Sequence, residues 1–260
     1  MVKQVPVSFK NHRGLTLRGV VHVPQHYEKA VVWLHGFPGD MDGTAKRFCT
    51  ALSRNGYVCL RFDFSGSNTS DGKYEDKLMS EEVKDVRAAV NFIKKHYPTK
   101  KLVLAGISTG AIDAALYAHT DRRVSGLVLA GGVSYLDQAA RYDFTDRQVR
   151  EFWLKGYTHH PPLGKLRRGS WIPNKGKLKK AFYDEFFTLD IPKAIKQYRK
   201  PLLVLHGEKD EAIPSAKDPH ELYALAHKPK QLVIIKGGDH RLRKQFRPAL
   251  AALLRFIRRV

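Results

Sequence analysis

One serine in the sequence has neighbours that are typical of a nucleophile. Ser108 lies in the pentapeptide Gly106-Ile107-Ser108-Thr109-Gly110, which follows the apolar run 101–105 and precedes the helix-like segment 111–116. The backbone of a serine at a sharp strand-to-helix turn is strained, and side chains two positions away on either side would collide, so glycine is needed there. The next helix also points its partial positive charge at this turn. The pattern predicts that Ser108 is a nucleophile.

A serine hydroxyl becomes a good nucleophile only when a base accepts its proton, and histidine is the usual base. His240 follows the apolar run 231–235 and the polar turn 236–239. The carboxyl ends of parallel strands meet along one edge of an open sheet, where such folds place their sites. We therefore predict that His240 lies near Ser108 and acts as the base.

A carboxylate that orients the histidine completes this arrangement. Asp210 lies in a turn after the apolar run 202–205, whereas Glu208 is two residues earlier and Asp239 adjoins the histidine. Side chains of adjacent residues on a turn seldom orient each other, which disfavours Asp239. We predict Asp210 as the acid and keep Glu208 and Asp239 as alternatives. His206 is expected to pack at the end of its strand without contacting substrate.

Attack on a carbonyl develops negative charge on its oxygen, and amide donors must stabilise that charge. The segment Trp33-Leu34-His35-Gly36-Phe37-Pro38-Gly39 follows a buried run and turns at its glycines. Pro38 has no N–H, whereas Phe37 has one, and Thr109 directly follows the nucleophile. We predict that the amides of Phe37 and Thr109 form the oxyanion hole. His35 is expected to have a structural role.

Apolar runs alternate with amphipathic stretches, which predicts a mostly parallel sheet with helices on both faces. The first two runs alternate apolar and polar residues, as a half-exposed antiparallel hairpin does, and the later runs are apolar throughout, as buried parallel strands are. Thr44 and Ser80 are predicted to cap two of the helices. The predicted strands are Gln4–Phe9, Leu15–Val23, Ala30–Leu34, Tyr57–Phe62, Lys101–Ile107, Val124–Ala130, Leu202–Leu205 and Gln231–Ile235.

The 260 residues are 43% hydrophobic and 27% charged, which suits one folded domain over residues 1–260 and excludes a disordered chain. No apolar run approaches the roughly 20 residues that cross a bilayer, and no apolar signal region follows Met1, so we expect a cytoplasmic protein. Cys49 and Cys59 are too few for a four-cysteine zinc site and are spaced unlike a redox pair. We expect two buried free thiols, no metal and no cofactor.

The segment 133–200 interrupts the alternation and has no clear buried strand. Ten of the 27 aromatic residues lie between Tyr142 and Phe187, and the stretch 161–180 contains seven basic residues and no acidic one. A connection of this length within a compact domain is usually functional. We predict an inserted cap between strands six and seven, which walls the substrate pocket and attracts anionic substrates.

The ordered motifs resemble those of the α/β-hydrolase superfamily over nearly the whole chain. They are His35-Gly36-Phe37, the serine pentapeptide, Gly207-Glu208-Lys209-Asp210 and Gly237-Gly238-Asp239-His240. The resemblance implies an α/β-hydrolase fold with an eight-stranded, mostly parallel sheet. It also implies a triad of Ser108, Asp210 and His240, with Phe37 and Thr109 in the oxyanion hole.

Within the superfamily, Arg61–Gly66 followed by Ser70-Asp71-Gly72 is similar to the small bacterial and archaeal esterases that include cinnamoyl and feruloyl esterases. Those enzymes resemble the chain in size and in the position of their cap. Two residues depart from the pattern, because Ile107 stands where histidine is common and Asp113 stands where an apolar residue is usual. These departures and the basic cap leave the substrate open, whereas they do not affect the predicted fold and triad.

The resemblance implies a serine carboxylic-ester hydrolase for small acyl or aryl esters, hydroxycinnamoyl esters included. A thioesterase, an acylaminopeptidase or a C–C hydrolase would use the same triad, because a fold does not determine its substrate. An inactive receptor with this fold is disfavoured, since all three triad residue types are present in order. The oligomeric state stays open, a homodimer included.

The net charge is +21, from 46 basic and 25 acidic residues. Such a charge suggests a different function, the binding of nucleic acid. The sequence has no aromatic nucleic-acid signature and no basic residues interleaved with aromatic residues on one periodic face. Basic residues scattered over helices usually form a solvated surface. We therefore expect a small-molecule ester as substrate, no specific nucleic-acid partner and no membrane span.

Overall fold

A computed structural model describes residues 2–160, 172 and 176–260. The strands of its main sheet are β1 Lys3–Lys10, β2 Thr16–Val23, β3 Lys29–Leu34, β4 Tyr57–Phe62, β5 Lys101–Ile107, β6 Val124–Ala130, β9 Leu202–Gly207 and β10 Lys230–Ile235. They lie in the order β1-β2-β4-β3-β5-β6-β9-β10. The first strand pairs antiparallel with β2, and β2 pairs antiparallel with β4, while the other neighbours are parallel. The predicted α/β-hydrolase sheet is confirmed.

Helices cover both faces of this sheet. The helices in the described residues are α1 Thr44–Arg54, α2 Met79–His96, α3 Thr109–Ala118, α4 Leu136–Asp143, α5 Asp146–Lys155, α6 Lys180–Asp184, α7 Ile191–Gln197, α8 Asp218–Leu225 and α9 Phe246–Arg259. One face of the sheet packs against α2, α3, α7 and α8, and the other packs against α1 and α9. Alternate residues of β5 therefore enter opposite cores, with Leu104 on the first face and Val103 on the second.

The predicted caps of two helices are wrong. Gly43 is the N-cap of α1, so Thr44 is its first helical residue. The second helix begins at Met79, one residue before Ser80, and no side chain of its own N-cap accepts a hydrogen bond. The carboxylate of Glu185 accepts the amides of Met79 and Ser80 instead. A residue about one hundred positions away thus caps α2, and a local pattern cannot show that.

The segment 133–200, which we call the cap, lies between β6 and β9, the sixth and seventh strands of the main sheet. It contains α4 to α7 and a two-stranded antiparallel ribbon, β7 Tyr157–His159 and β8 Lys177–Lys179. The sequence shows no clear buried strand in this segment, and it does not reveal the ribbon because strands of three residues are too short to show a period. Most of the basic stretch 161–180 lies outside the described residues.

The structure also describes the two cysteines and shows whether any described helix could span a membrane. Cys49 and Cys59 are both free and buried, as expected. Among the described residues, no helix has the length and apolar character that crossing a membrane would require.

Candidate active site

The backbone between β5 and α3 turns sharply at Ser108, which has φ 57° and ψ −127°. Its amide donates to the carbonyl of Ala130 at the end of β6, with an N···O distance of 2.9 Å. A Cβ at Gly106 would lie 2.0 Å from the carbonyl oxygen of Gly110, and a Cβ at Gly110 would lie 2.5 Å from that of His35. Glycine is required at both positions, as the motif predicts, and the turn presents Ser108 at the carboxyl edge of the sheet.

The structure joins His240 to Asp210. Nδ1 of His240 and Oδ2 of Asp210 are 2.8 Å apart, and the Asp210 side chain is fully buried. The other carboxylate oxygen accepts the amides of Ala212 and Ile213 at 2.9 and 2.8 Å. Burial alone raises the pKa of Asp210, but the hydrogen bond and charge of His240 and the two amides hold it below its ordinary value. Asp210 is therefore an anion that fixes the imidazole ring.

The two alternative carboxylates have other partners. Glu208 Oε2 accepts the amide of Gly237 at 2.8 Å, which closes the turn before the histidine. Asp239 Oδ1 accepts the amide of Arg243 at 2.7 Å, and its other oxygen faces the Arg243 guanidinium. Of the three candidates, Asp210 is the one that contacts the His240 ring.

Two contacts around this pair were not expected from the sequence. The amide of His240 donates to Glu211 Oε2 at 3.0 Å, so a second acidic residue holds the backbone of the histidine. The Nε2 atom of His206 lies 3.2 Å from Oδ2 of Asp210 and 3.0 Å from the carbonyl of Ile213. Burial lowers the pKa of His206, which keeps it a neutral donor. His206 thus packs at its strand end, as expected, and also supports Asp210.

The imidazole of His240 lies against Gly131, the residue that follows β6. This glycine follows Ala130, has φ +52°, and would place a Cβ 3.2 Å from Nδ1 and Cε1 of His240. The described residues show no hydrogen bond between Oγ of Ser108 and the imidazole. Catalytic hydrogen bonds of this kind are often long before substrate binds. Ser108 and His240 therefore both contact the short segment formed by Ala130 and Gly131.

The amides of Phe37 and Thr109 are both available beside this turn. A Cβ at Gly36 would lie 2.8 Å from Cβ of Ser108, so the loop after β3 touches the serine. Within residues 2–160, 172 and 176–260, neither amide donates to a protein acceptor. The ring of His35 contacts the carbonyl of Gly36 through Nδ1 and accepts the amide of Phe64 through Nε2, which is a structural role.

The ring of Phe37 is held by aromatic residues from both the core and the cap. Ring centroids lie 5.5 Å away in Tyr74, 5.2 Å away in His160 and 4.9 Å away in Phe182. Tyr74 also donates its hydroxyl to the carbonyl of His160 at 2.6 Å. Burial lowers the pKa of His160 to about 4, so the ring stays neutral. The cap therefore contacts the loop that carries one predicted oxyanion donor.

A buried ionic cluster lies beneath the same loop. Lys77 Nζ is 2.5 Å from Glu82 and 5.9 Å from the centroid of the Phe37 ring. Asp113 is fully buried on α3, and neither of its carboxylate oxygens has a partner among the described residues. Burial and the nearby Glu82 raise the pKa of Asp113 well above its ordinary value. The environment of this unusual acid, in the helix after the serine, therefore favours its protonated form.

Two curated proteins are similar to this chain in sequence over most of its length. Palmitoyl-protein thioesterase ABHD10, mitochondrial, from Homo sapiens is 24% identical over 83% of this chain and 68% of its own length. The uncharacterized protein YfhR from Salmonella typhi is 26% identical over 84% of this chain and 66% of its own length.

Two solved structures share the fold over nearly the whole chain. Est1E from Butyrivibrio proteoclasticus with bound ferulic acid has a TM-score of 0.77 and 22% identity, and the match covers 96% of this chain and 98% of that one. DcsB in complex with its substrate analogue has a TM-score of 0.81 and 18% identity, and the match covers 99% of both chains. At these identities the likeness shows the fold alone.

A family model for serine aminopeptidase S33 matches residues 25–244. The match begins before β3 and ends after His240, so it includes the serine turn, the cap and the turns that carry Asp210 and His240. The chain belongs to the serine aminopeptidase S33 family and is an α/β hydrolase.

Proposed function

We propose that this protein is a serine carboxylic-ester hydrolase with a triad of Ser108, His240 and Asp210. The observation that carries the proposal is the buried 2.8 Å contact between Asp210 and His240, beside a strained serine turn that two glycines permit. A buried carboxylate costs free energy unless it is paired, and here its partners are a histidine ring and two amides. This arrangement suits the transfer of a proton to and from a nucleophile.

In the proposed reaction, Oγ of Ser108 attacks the ester carbonyl while Nε2 of His240 accepts the hydroxyl proton. Asp210 stabilises the imidazolium through Nδ1. The tetrahedral intermediate collapses, its bond to the alkoxy oxygen breaks, and His240 donates its proton to the leaving alcohol. Water then attacks the acyl-enzyme through the same base, which releases the acid and restores Ser108.

The amides of Phe37 and Thr109 are proposed to bind the oxyanion that forms in both steps. Removal of one donor from such a site costs about 10²–10³-fold in kcat. Because these donors belong to the backbone, their positions depend on the packing of the Phe37 ring and on the start of α3. The rings of Tyr74, His160 and Phe182 around Phe37 support that positioning.

Small acyl or aryl esters are the proposed substrates. We call the carboxyl edge of the sheet, where Ser108, Asp210 and His240 follow their strands, the serine edge. Aromatic side chains cluster where the cap meets this edge, and such rings suit apolar acyl or aryl groups. The likeness to a structure that holds ferulic acid agrees with this class without specifying the acid.

A thioesterase is the second candidate, because the palmitoyl-protein thioesterases are relatives at 22% to 24% identity. A thiolate leaves with little help from an acid, whereas an alcohol must be protonated. When His240 is lost, expulsion of the leaving group should therefore slow less for a thioester than for an ester of an ordinary alcohol.

The test is a panel of p-nitrophenyl esters of rising chain length, methyl ferulate, a palmitoyl thioester and an amino-acid p-nitroanilide, assayed with wild type and Ser108→Ala. The proposal expects kcat/KM to be highest for an oxygen ester and every activity to be lost in Ser108→Ala. A thioester preference would move the assignment to the second candidate, and a p-nitroanilide preference would move it to an aminopeptidase. Unchanged turnover in Ser108→Ala would reject the triad.

A further inference from the structure

The cap exposes large apolar side chains. In the described part of the chain, the exposed large hydrophobic residues all lie between Tyr135 and Phe187. Three stand out, with Leu154 74% exposed, Trp153 69% and Phe187 56%. Monomeric proteins seldom leave side chains of this size together in water, and such groups mark interaction surfaces.

The exposure of Trp153 and Leu154 follows from how α5 is built. The helix begins with a capping box between Thr145 and Gln148, and it ends at Gly156 with φ 76°. Its buried side chains are Gln148 and Phe152, which fix the face that turns inward. Trp153 and Leu154 come next along a helix held at both ends, so they point away from that face.

Phe187 is connected to the same helix through the interior of the cap. Its ring packs on Tyr183 with a centroid distance of 5.2 Å, and Tyr183 stacks on Phe152 at 5.1 Å. Tyr183 belongs to α6, and so does Lys180, whose ammonium group lies over the Trp153 ring. The exposed rings of Phe187 and Trp153 therefore both adjoin this short helix.

Cations accompany these side chains. Nζ of Lys180 lies 4.1 Å from the centroid of the Trp153 ring, and Arg150 and Lys155 are exposed on α5 on either side of the tryptophan. Two of these cations have acidic partners on the cap, since Lys180 pairs with Asp184 and Nζ of Lys155 lies 3.5 Å from Glu151. Arg150 has no acidic partner among the described residues. The whole cap has fifteen Lys and Arg residues and seven Asp and Glu residues.

We propose that this surface, formed by Trp153, Leu154, Phe187 and the cations Arg150, Lys155 and Lys180, docks on an anionic lipid bilayer. We call it the docking face. Tryptophan and leucine enter the boundary between headgroups and acyl chains, while lysine and arginine bind anionic headgroups. An apolar centre with basic residues around it has both properties.

Two other occupants fit less well. A second copy of the chain would bring another net charge of +21 against the first, and like charges at an interface are unfavourable. A nucleic acid could use the rings and the cations, but Leu154, the most exposed of the three, offers no ring for stacking. A lipid surface uses all three apolar side chains and the charge.

The docking face lies outside the proposed triad, so the inference does not depend on the proposed function. Docking would nevertheless affect where the proposed enzyme meets its substrate. The cap residue Phe182 packs on Phe37, so a docked cap would hold the serine edge of the sheet close to the bilayer. Acylated molecules that leave the bilayer would then meet the enzyme first at its cap.

The test is co-sedimentation of the full chain with two kinds of vesicle, phosphatidylcholine alone and phosphatidylcholine mixed with phosphatidylglycerol. We expect binding to the anionic vesicles only, weakening as salt rises. The variant Trp153→Ser/Leu154→Ser/Phe187→Ser should lower the apparent affinity about tenfold or more. Arg150→Gln/Lys155→Gln should lower it too. Arg258→Gln/Arg259→Gln makes the same charge change at the exposed end of α9 and should leave binding near wild type.

Trp153 itself reports insertion. Trp33 is buried and Trp171 lies outside the described residues, so a Trp171→Phe background leaves Trp153 as the exposed reporter. Its emission should shift to the blue with anionic vesicles and be quenched by brominated acyl chains. Circular dichroism and hydrolysis of a soluble ester should show that the apolar triple variant is folded.

Three results would overturn the proposal. The first is vesicle binding that survives in the apolar triple variant. The second is binding of a single-stranded oligonucleotide that is lost in this variant while vesicles are ignored. The third is self-association in sedimentation that depends on the same side chains.

Discussion

The serine edge of the sheet and the cap are built in different ways. At the serine edge, backbone geometry sets the positions: glycines 106 and 110 permit the turn, and the amide of Ser108 is tied to β6. In the cap, short helices and a three-residue ribbon depend on ring contacts such as Phe144 on Phe152 and Phe186. Backbone geometry tolerates little change, whereas ring packing accepts many side chains. We therefore expect the serine edge to determine the chemistry and the cap to determine access.

Several contacts join the cap to the rest of the described chain, and three kinds bear on the site. Glu185 of the cap accepts the first amides of α2, Lys177 and Lys179 pair with Glu75 and Asp76 of the core, and cap rings pack on Phe37. The lysine pairs mean that β8 anchors the cap, and that these two cations are less available to steer anionic substrates than the sequence suggested. A change at a contact point should affect the chemistry even though it lies in the cap.

The largest expected effect is at the serine edge. Ser108→Ala and His240→Ala should each lower kcat for a p-nitrophenyl ester by about 10⁴-fold or more, because each removes a part of one proton-transfer unit. The double variant should lose little more than either single variant. Steady-state kinetics with purified variants measures this, and additive losses would show that the two residues act separately.

The second largest effect is expected at Asp210, and it distinguishes this residue from the two other candidate carboxylates. Asp210→Ala should lower kcat by about 10³-fold or more, because His240 loses the carboxylate that fixes its ring. The matched controls Glu208→Ala and Asp239→Ala remove carboxylates that serve turns, and they should stay within about tenfold of wild type. A larger loss in either control than in Asp210→Ala would transfer the role of the acid.

A smaller effect is expected where rings of the cap pack on Phe37, in the loop after β3. His160→Ala removes a ring that packs on Phe37 and should lower kcat about tenfold with little change in KM, because the amide of Phe37 is a proposed donor to the transition state. His160→Phe keeps a ring and should restore most of kcat. The control His159→Ala alters a ring that contacts Tyr157 and should be near wild type. A rise in KM alone would assign His160 to substrate access.

The smallest effect is on stability. Asp113 has a pKa raised in the folded state, so its neutral form is favoured there and folding is penalised once the unfolded chain ionises above about pH 4. Asp113→Asn should therefore raise Tm relative to wild type increasingly as pH rises above about 4. The difference should be smallest in acid. Calorimetry across pH measures it, and a difference that does not change with pH would show that Asp113 is not protonated.

The sequence predicted the strands of the main sheet because apolar runs mark them. Ser108, Asp210 and His240 became candidates because each follows one of these runs. Glu211 and Glu185 could not be found in this way, since each acts on a backbone amide about thirty or one hundred residues distant. The cap ribbon was missed because three residues show no period, and Asp113 was noticed only because its type was unusual.

The central claim is that the chemistry belongs to Ser108 at the edge of the sheet, and covalent labelling tests it most directly. A fluorophosphonate phosphonylates a serine that a histidine activates, and peptide mass mapping locates the adduct. We predict one adduct per chain, on the peptide that contains Ser108, with labelling lost in Ser108→Ala and strongly slowed in His240→Ala. An adduct on another residue, or equal labelling of Ser108→Ala, would contradict the account.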